Sequence, residues 1–279
     1  MNSLEKIFLE PLSQEFFWIG AYRRAGMKAK RVGFCGPLPP CHEFEFGKGN
    51  VGMVAQEGIR KVVGDVSDDS QYSVCFIETA SELIEPIFFE NKLLGVIDVE
   101  SDEKNYFTPL RVEKVSSLAK LLAPIFLAPE NDVAGVYVER NLRILSWLQE
   151  AKSIAPELCD WLGIYFKESF LFPEKKSTDL ILGPYLGAAT DHIRIPLNRG
   201  FCGLALAEER VVNVSDVTKD ARHIACSMKT RSELVIPLKD KSGNFVAELD
   251  IDSNQLDAFS QKNIELKFTH YAATFAELL

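Results

Sequence analysis

The feature that most constrains this chain is that it repeats itself. Gly49-Asn50-Val51-Gly52 returns as Gly200-Phe201-Cys202-Gly203, an offset of 151 residues. The same offset carries Asp65-Val66 onto Asp216-Val217, Cys75 onto Cys226, Ser81-Glu82-Leu83 onto Ser232-Glu233-Leu234 and Pro86 onto Pro237. One extra residue then moves the offset to 152, so that Asp98 meets Asp250, Glu100 meets Asp252, Ser101 meets Ser253 and Phe107 meets Phe259. Upstream, Phe17-Trp18-Ile19-Gly20 parallels Asp160-Trp161-Leu162-Gly163. So many matches in one order describe a tandem duplication whose unit is the size of an ordinary domain. We expect domains at residues 1–130 and 131–279, joined by the stretch Ala128-Pro129-Glu130-Asn131-Asp132 and a helix through Leu142, Leu145, Leu148 and Ala151.

Local patterns repeat too. Leu83 to Phe89, the turn Glu90-Asn91 and Leu93 to Val99 read as a hairpin, matched by Leu234 to Leu238, Lys239 to Asn244 and Phe245 to Ile251. A helix closes each copy. Thr108-Pro109 starts the first, with Phe107 and Val112 as its staple; Ser260 caps the second, with Phe259 and Ile264 as staple and Phe268, Tyr271 and Phe275 continuing the stripe. The fold class is therefore α+β, with a central antiparallel sheet flanked by helices in each copy. The glycines of Gly47-Lys48-Gly49-Asn50-Val51-Gly52 fit a tight turn before a helix and no phosphate-binding fingerprint.

Charge removes one class of partner. The chain carries 31 basic and 40 acidic residues, a net charge of -9, and neither copy is basic, so nucleic-acid binding is not expected. The richest apolar run, Leu118 to Pro129, is interrupted by Lys120 and Pro124 and is too short to span a bilayer. Met1 to Lys6 lacks the order of a secretory leader, and six cysteines in such a chain read as reduced thiols, so a cytoplasmic location is expected.

The second copy contains Asp160-Trp161-Leu162-Gly163-Ile164-Tyr165, Arg199-Gly200-Phe201-Cys202-Gly203, His223-Ile224-Ala225-Cys226, Ser232-Glu233-Leu234 and Leu249-Asp250-Ile251-Asp252-Ser253 in that order. This resembles the GAF-type free methionine-(R)-sulfoxide reductases; the first copy is a more divergent GAF relative. The resemblance implies two GAF domains in tandem. It also implies a three-cysteine set, of which each copy keeps two: Cys226 and Cys202 in the second, with His192 at the third place, and Cys75 and Cys41 in the first, with Val51 at the third place. Cys226 and Cys75 then attack the sulfoxide, while Cys202 and Cys41 resolve. The acids Glu233, Asp250 and Asp252, and Glu82, Asp98 and Glu100, grip the substrate and deliver a proton, and Trp161 and Trp18 wall off the thioether.

The chemistry suits these residue types. A thiolate attacks sulfur, a buried carboxylic acid protonates the oxygen, and a sulfenic acid condenses with a second thiol. An external thioredoxin-type dithiol restores the pair, and no bound cofactor is required. Each residue also has a plainer role. Cysteine is often a packing residue, the role we assign to Cys35 and Cys159. Asp98 and Asp250 suit strand ends where they satisfy turn amides, Glu82 and Glu233 suit solvated strand starts, and Trp18 and Trp161 suit the core. His223 either lowers the pKa of Cys226 or lies on the surface. Neither Cys41-His42 nor His192 with Cys202 and Cys226 shows paired ligand spacing, so no metal is expected. Two functions stand: a reductase of free methionine-(R)-sulfoxide or a similar small oxidised molecule, and a non-catalytic tandem GAF module that senses a small ligand or redox state. Related GAF domains pair through helices, so either the terminal helices form a homodimer or the two copies imitate one.

Overall fold

The computed structural model describes residues 4–129, 132, 134–224, 227–260 and 263–279. Its contacts divide the chain into two compact units, the first ending at Leu142 and the second beginning at Arg143.

The first unit runs β1 (Trp18–Ala25), β2 (Lys28–Cys35), β3 (Glu43–Glu45), α1 (Gly49–Glu57), β4 (Lys61–Val63), β5 (Ser81–Phe89), β6 (Lys92–Ser101) and α2 (Pro109–Phe126). Helix α3 (Val136–Lys152) follows. The second unit has β7 (Trp161–Lys167), the single turn α4 (Glu168–Leu171), β8 (Asp179–Leu186), β9 (Arg194–Pro196), α5 (Gly200–Ala207), β10 (Val212–Val214), β11 (Ser232–Lys239), β12 (Phe245–Ser253) and α6 (Ile264–Ala272). Each unit holds one six-stranded sheet. The orders β3-β2-β1-β6-β5-β4 and β9-β8-β7-β12-β11-β10 are one topology, and every pairing is antiparallel. The expected α+β class and its duplication are thus present in three dimensions. Among the described residues, no helix is long and apolar enough to cross a membrane.

Both faces of the central hairpin are buried in the first unit, which explains why its strands are apolar almost throughout. One face of β6 carries Val96 into a core with Trp18, Tyr22 and Ile84, and with Val51, Val54 and Ala55 of α1. The other face meets α2, where Phe126 lies over Gly95. In the second unit, Phe201 and Ala205 of α5 pack on Val235 of β11 with Val212 and Val217.

The entry to α1 and α5 is built by glycine. Gly49 and Gly200 open the helices at φ +63° and +69°, a left-handed conformation that a β-carbon disfavours. Gly52 and Gly203 face a carbonyl so closely that a β-carbon would stand 2.1 Å from Glu45 O and 2.3 Å from Leu197 O. This spacing draws the first helical turn onto the sheet and aims its third residue, Val51 or Cys202, inward.

Three expectations change at element ends. Helix α6 begins at Ile264, after Asn263 at φ +76°, rather than after Ser260; residues 261 and 262 lie outside the described residues. Its aromatic stripe survives, with Phe268 and Phe275 buried and Tyr271 stacked on Trp147 at 4.9 Å. Strands β6 and β12 run on to Ser101 and Ser253, so Asp98 and Asp250 sit inside strands and not at turns. Strands β5 and β11 begin at Ser81 and Ser232, so Glu82 and Glu233 are buried ladder residues rather than solvated ones.

The Trp-x-Gly pair that opens each sheet has a steric reason. The indoles of Trp18 and Trp161 lie over Gly20 and Gly163, where a β-carbon would meet the ring at 2.0 and 2.1 Å, and their N–H groups donate to Pro37 O and Ala188 O, both at 3.2 Å. Gly20→Ala and Gly163→Ala should therefore each cost about 1–3 kcal/mol, the usual penalty of overpacking, as read by urea denaturation.

Candidate functional site

Sheet register assembles the site. In the first unit Glu82 of β5 stands opposite Glu100 of β6, and Ile84 opposite Asp98; across the other ladder Gly20 faces Asp98 and Trp18 faces Glu100. Directly opposed residues share a face, so three acids, Trp18, Tyr22 and α1 share one side of the sheet. Glu82, Asp98 and Glu100 each place a carboxylate oxygen within 4.8 Å of the others, and all three are buried. Burial raises Glu82 to about 8 and Glu100 to about 7, and pushes Asp98 well above the ordinary range, with the neighbouring carboxylates adding to the shift on Glu82 and Asp98.

Polar neighbours hold this cluster. Asn50 Nδ2 donates to Glu82 Oε2 at 2.6 Å and to Asp69 Oδ2 at 2.9 Å, and Lys61 Nζ lies 2.8 Å from Asp69 Oδ2. The Thr79 hydroxyl donates to Glu100. Asp98 Oδ1 is buried with no hydrogen-bond partner among the described residues.

Contrary to the expectation of six reduced thiols, Cys41 and Cys75 form a disulfide, with their Cα atoms 6.1 Å apart. Two observations place the bridge at the edge of the same face. The Cys41 carbonyl accepts from Arg31 Nη1 at 2.9 Å, and Arg31 approaches the Tyr22 hydroxyl. Phe76, next to Cys75, lies against Trp18 with ring centroids 5.9 Å apart. Trp18 is buried in the core that the sequence offered as its plainer role.

In the second unit Glu233 stands opposite Asp252, Val235 opposite Asp250 and Pro237 opposite Glu248. Glu248, Asp250 and Asp252 therefore alternate along one face of β12, the face shared with Trp161 and Tyr165 of β7. Cys202 Sγ donates to Asp250 Oδ2 at 3.7 Å. Burial pushes Glu233, Glu248 and Asp250 well above the carboxylate range and Asp252 to about 7, and mutual repulsion adds to the first three. His223 is neither a plain surface group nor demonstrably a partner of Cys226, which lies outside the described residues. Its ring stacks on Phe201, its Nε2 lies 3.8 Å from Glu233 Oε2, and burial lowers its pKa. Tyr165 donates to the His192 carbonyl at 2.7 Å, and Trp161 stacks on Tyr185 at 5.4 Å. Cys35 and Cys159 are buried, and burial drives the Cys159 thiol up to about 12, as suits packing residues.

Two site residues escaped the sequence reading. Asn50 braces Glu82 but has Phe201 as its counterpart. Glu248 is fully buried, and neither of its oxygens has a hydrogen-bond partner among the described residues. The signal for Glu248 was the alternation Glu248-Leu249-Asp250-Ile251-Asp252; the repeat concealed it, because the equivalent residue is Val96. Two triads hold oxygen or sulfur atoms close enough to share a metal ion, Glu82–Asp98–Glu100 and Cys202–Glu233–Asp250.

Carboxyls held protonated by burial set a pH dependence. The native chain binds more protons than the unfolded chain between the ordinary carboxylate range and the raised values. Their contribution is thus full below about pH 4 and is lost as pH rises through about 7 to 8. Urea unfolding at stepped pH should show stability falling from pH 5 to pH 8, and Glu82→Gln should flatten that slope for the first unit.

Residues 144–279 match the GAF domain family. Protein YtsP of Bacillus subtilis is 36% identical over 127 residues, covering 44% of this chain and 68% of that protein. The free methionine-R-sulfoxide reductase of Saccharomyces cerevisiae is 30% identical over 165 residues, covering 59% of this chain and 86% of that protein. Among solved structures, the type II free methionine-R-sulfoxide reductase from Thermoplasma acidophilum is 31% identical, covers 50% of this chain and 92% of its own, and gives a TM-score of 0.44.

Proposed function

This chain belongs to the GAF-domain family, and from that premise we propose that it is a thiol-dependent reductase of free methionine-(R)-sulfoxide or a similar small oxidised molecule. The observation that carries the reading is the Cys41–Cys75 bridge beside a face lined by Glu82, Asp98 and Glu100. A thiol pair close enough to bond and carboxyls that keep protons near neutrality are the two requirements of the reaction.

With the bridge reduced, the Cys75 thiolate attacks the sulfoxide sulfur while a carboxyl of the cluster protonates the oxygen. The oxygen passes to the Cys75 sulfur, releasing the thioether and leaving a sulfenic acid; the sulfoxide is reduced by two electrons and the cysteine oxidised by two. Cys41 then displaces that oxygen as water and forms the disulfide. A thioredoxin-type dithiol supplies two electrons and two protons to reopen it. The acids also receive a substrate ammonium, and Trp18 covers the thioether. Cys226 and Cys202, with Glu233, Asp250, Asp252 and Trp161, form a second candidate set for the same chemistry.

The alternative, a binding module for a small ligand, is favoured in the second unit by Cys202, which hydrogen-bonds Asp250. One assay separates the readings. NADPH oxidation coupled through thioredoxin should proceed with free methionine-(R)-sulfoxide. Cys75→Ser should abolish it, Cys41→Ser should block turnover after a single reduction, and Glu100→Gln should slow it by about 10²- to 10⁴-fold. A wild-type chain without turnover contradicts the reductase reading, and Cys226→Ser with full activity confines catalysis to the first unit.

A further inference from the structure

The two acid clusters occupy equivalent places but are neutralised differently. In the first unit the demand for positive charge and hydrogen-bond donors is met from within, by Lys61 on Asp69 and by Asn50 on Glu82 and Asp69. In the second unit the counterparts of Lys61 and Asn50 are Val212 and Phe201, both apolar. The same unit adds a thiol, Cys202 in place of Val51, and a fourth acid, Glu248 in place of Val96. The counterpart of Asp69, Asp220, is paired instead with the exposed Arg222, so the cluster itself has lost its lysine and amide while gaining two ligand-type groups.

The added acid is left without hydrogen-bond partners. Glu248 is 0% exposed, and both its oxygens, with Asp250 Oδ1, are buried without a hydrogen-bond partner among the described residues. A buried polar atom of this kind costs free energy unless something fills its valence, and several on one strand face ask for a cation. Cys202 Sγ and one oxygen each from Glu233 and Asp250 lie within 4.8 Å of one another. Tetrahedral zinc, with Zn–S about 2.3 Å and Zn–O about 2.0 Å, separates sulfur from oxygen by about 3.5 Å; Cys202 Sγ and Asp250 Oδ2 stand 3.7 Å apart.

We propose that the second unit binds one Zn²⁺ through Cys202, Glu233 and Asp250, with Glu248, two residues before Asp250 on the same face of β12, adding negative charge from outside the metal's own shell. A thiolate among carboxylates suits zinc better than the hard oxygen-seeking cations, which fit the all-carboxylate first site. His223, 3.8 Å from Glu233, orients that ligand from outside the metal's own shell. The donors come from one helix and two strands, which is why no paired ligand spacing is visible in the sequence. Binding releases the thiol and carboxyl protons, so affinity rises with pH. The site does not rest on the reductase reading; occupied by zinc, it withdraws Cys202 from thiol exchange and leaves turnover to the first unit.

Cobalt titration of the full chain tests this directly. One equivalent of Co²⁺ should give a thiolate-to-cobalt charge-transfer band that one equivalent of Zn²⁺ removes. Cys202→Ser should abolish the band, and Glu248→Val should weaken affinity at least about tenfold. The valine is already accommodated at the equivalent place in the first unit, and far-UV circular dichroism checks that the fold is kept. Cys41→Ser/Cys75→Ser and Cys226→Ser should retain the band. Absence of the band in the wild type, its survival in Cys202→Ser, or its loss in Cys226→Ser would overturn the proposal. None of these readouts depends on reductase activity.

Discussion

In both units a carboxylate stands directly across a β-ladder from another carboxylate: Glu82 from Glu100, and Glu233 from Asp252. Like charges in that relation repel, and burial beneath a helix adds the cost of desolvation. The sheet can hold them because protons, or a bound cation, take the place of water. The rest of each unit follows from that requirement. Glycines at Gly52 and Gly203 bring the covering helix down, the indoles of Trp18 and Trp161 close one side, and the apolar opposite face fixes the register. A slip of one residue would send every acid of β6 toward α2 and bring Ile97 and Val99 into the site, so the hydrophobic pattern that folds the sheet also aims its chemistry.

Duplication has let the two sites diverge around this shared frame. The first keeps Lys61 and Asn50 to neutralise and brace its acids, and it carries the disulfide. The second replaces the cation with apolar residues, brings Cys202 onto Asp250 and adds Glu248. On our reading the first is equipped for thiol exchange and the second for holding a cation. Such a division is open to a duplicated chain, because each copy can lose a member of the ancestral set while the other retains it.

Much of this was legible in the sequence because the repeat supplies an internal comparison. Glu82, Asp98 and Glu100 could be named with Glu233, Asp250 and Asp252 since each has a partner at a fixed offset. The same comparison hid Glu248 and Asn50, whose counterparts are Val96 and Phe201. Asp98 and Asp250 looked like turn residues because acids rarely lie inside buried strands; only the ladder shows that β6 and β12 continue past them. The start of α6 was missed for a local reason, since Asn263 in the left-handed region delays a helix that Ser260 could have capped. Cys41 and Cys75 are far apart in the chain, and their bonding distance comes from loops, whose paths no periodicity records.

Each sheet buries a cluster of carboxyls that keeps protons near neutrality and gives them up when a cation enters. Infrared spectroscopy of the full chain at pH 7 measures this most directly. The account predicts a protonated-carboxyl stretching band in the metal-free protein, reduced by Glu82→Gln through the first unit and by Asp250→Asn through the second, and bleached in part when Zn²⁺ is added. A spectrum with no protonated-carboxyl band at pH 7, or a band that neither substitution changes, would contradict it.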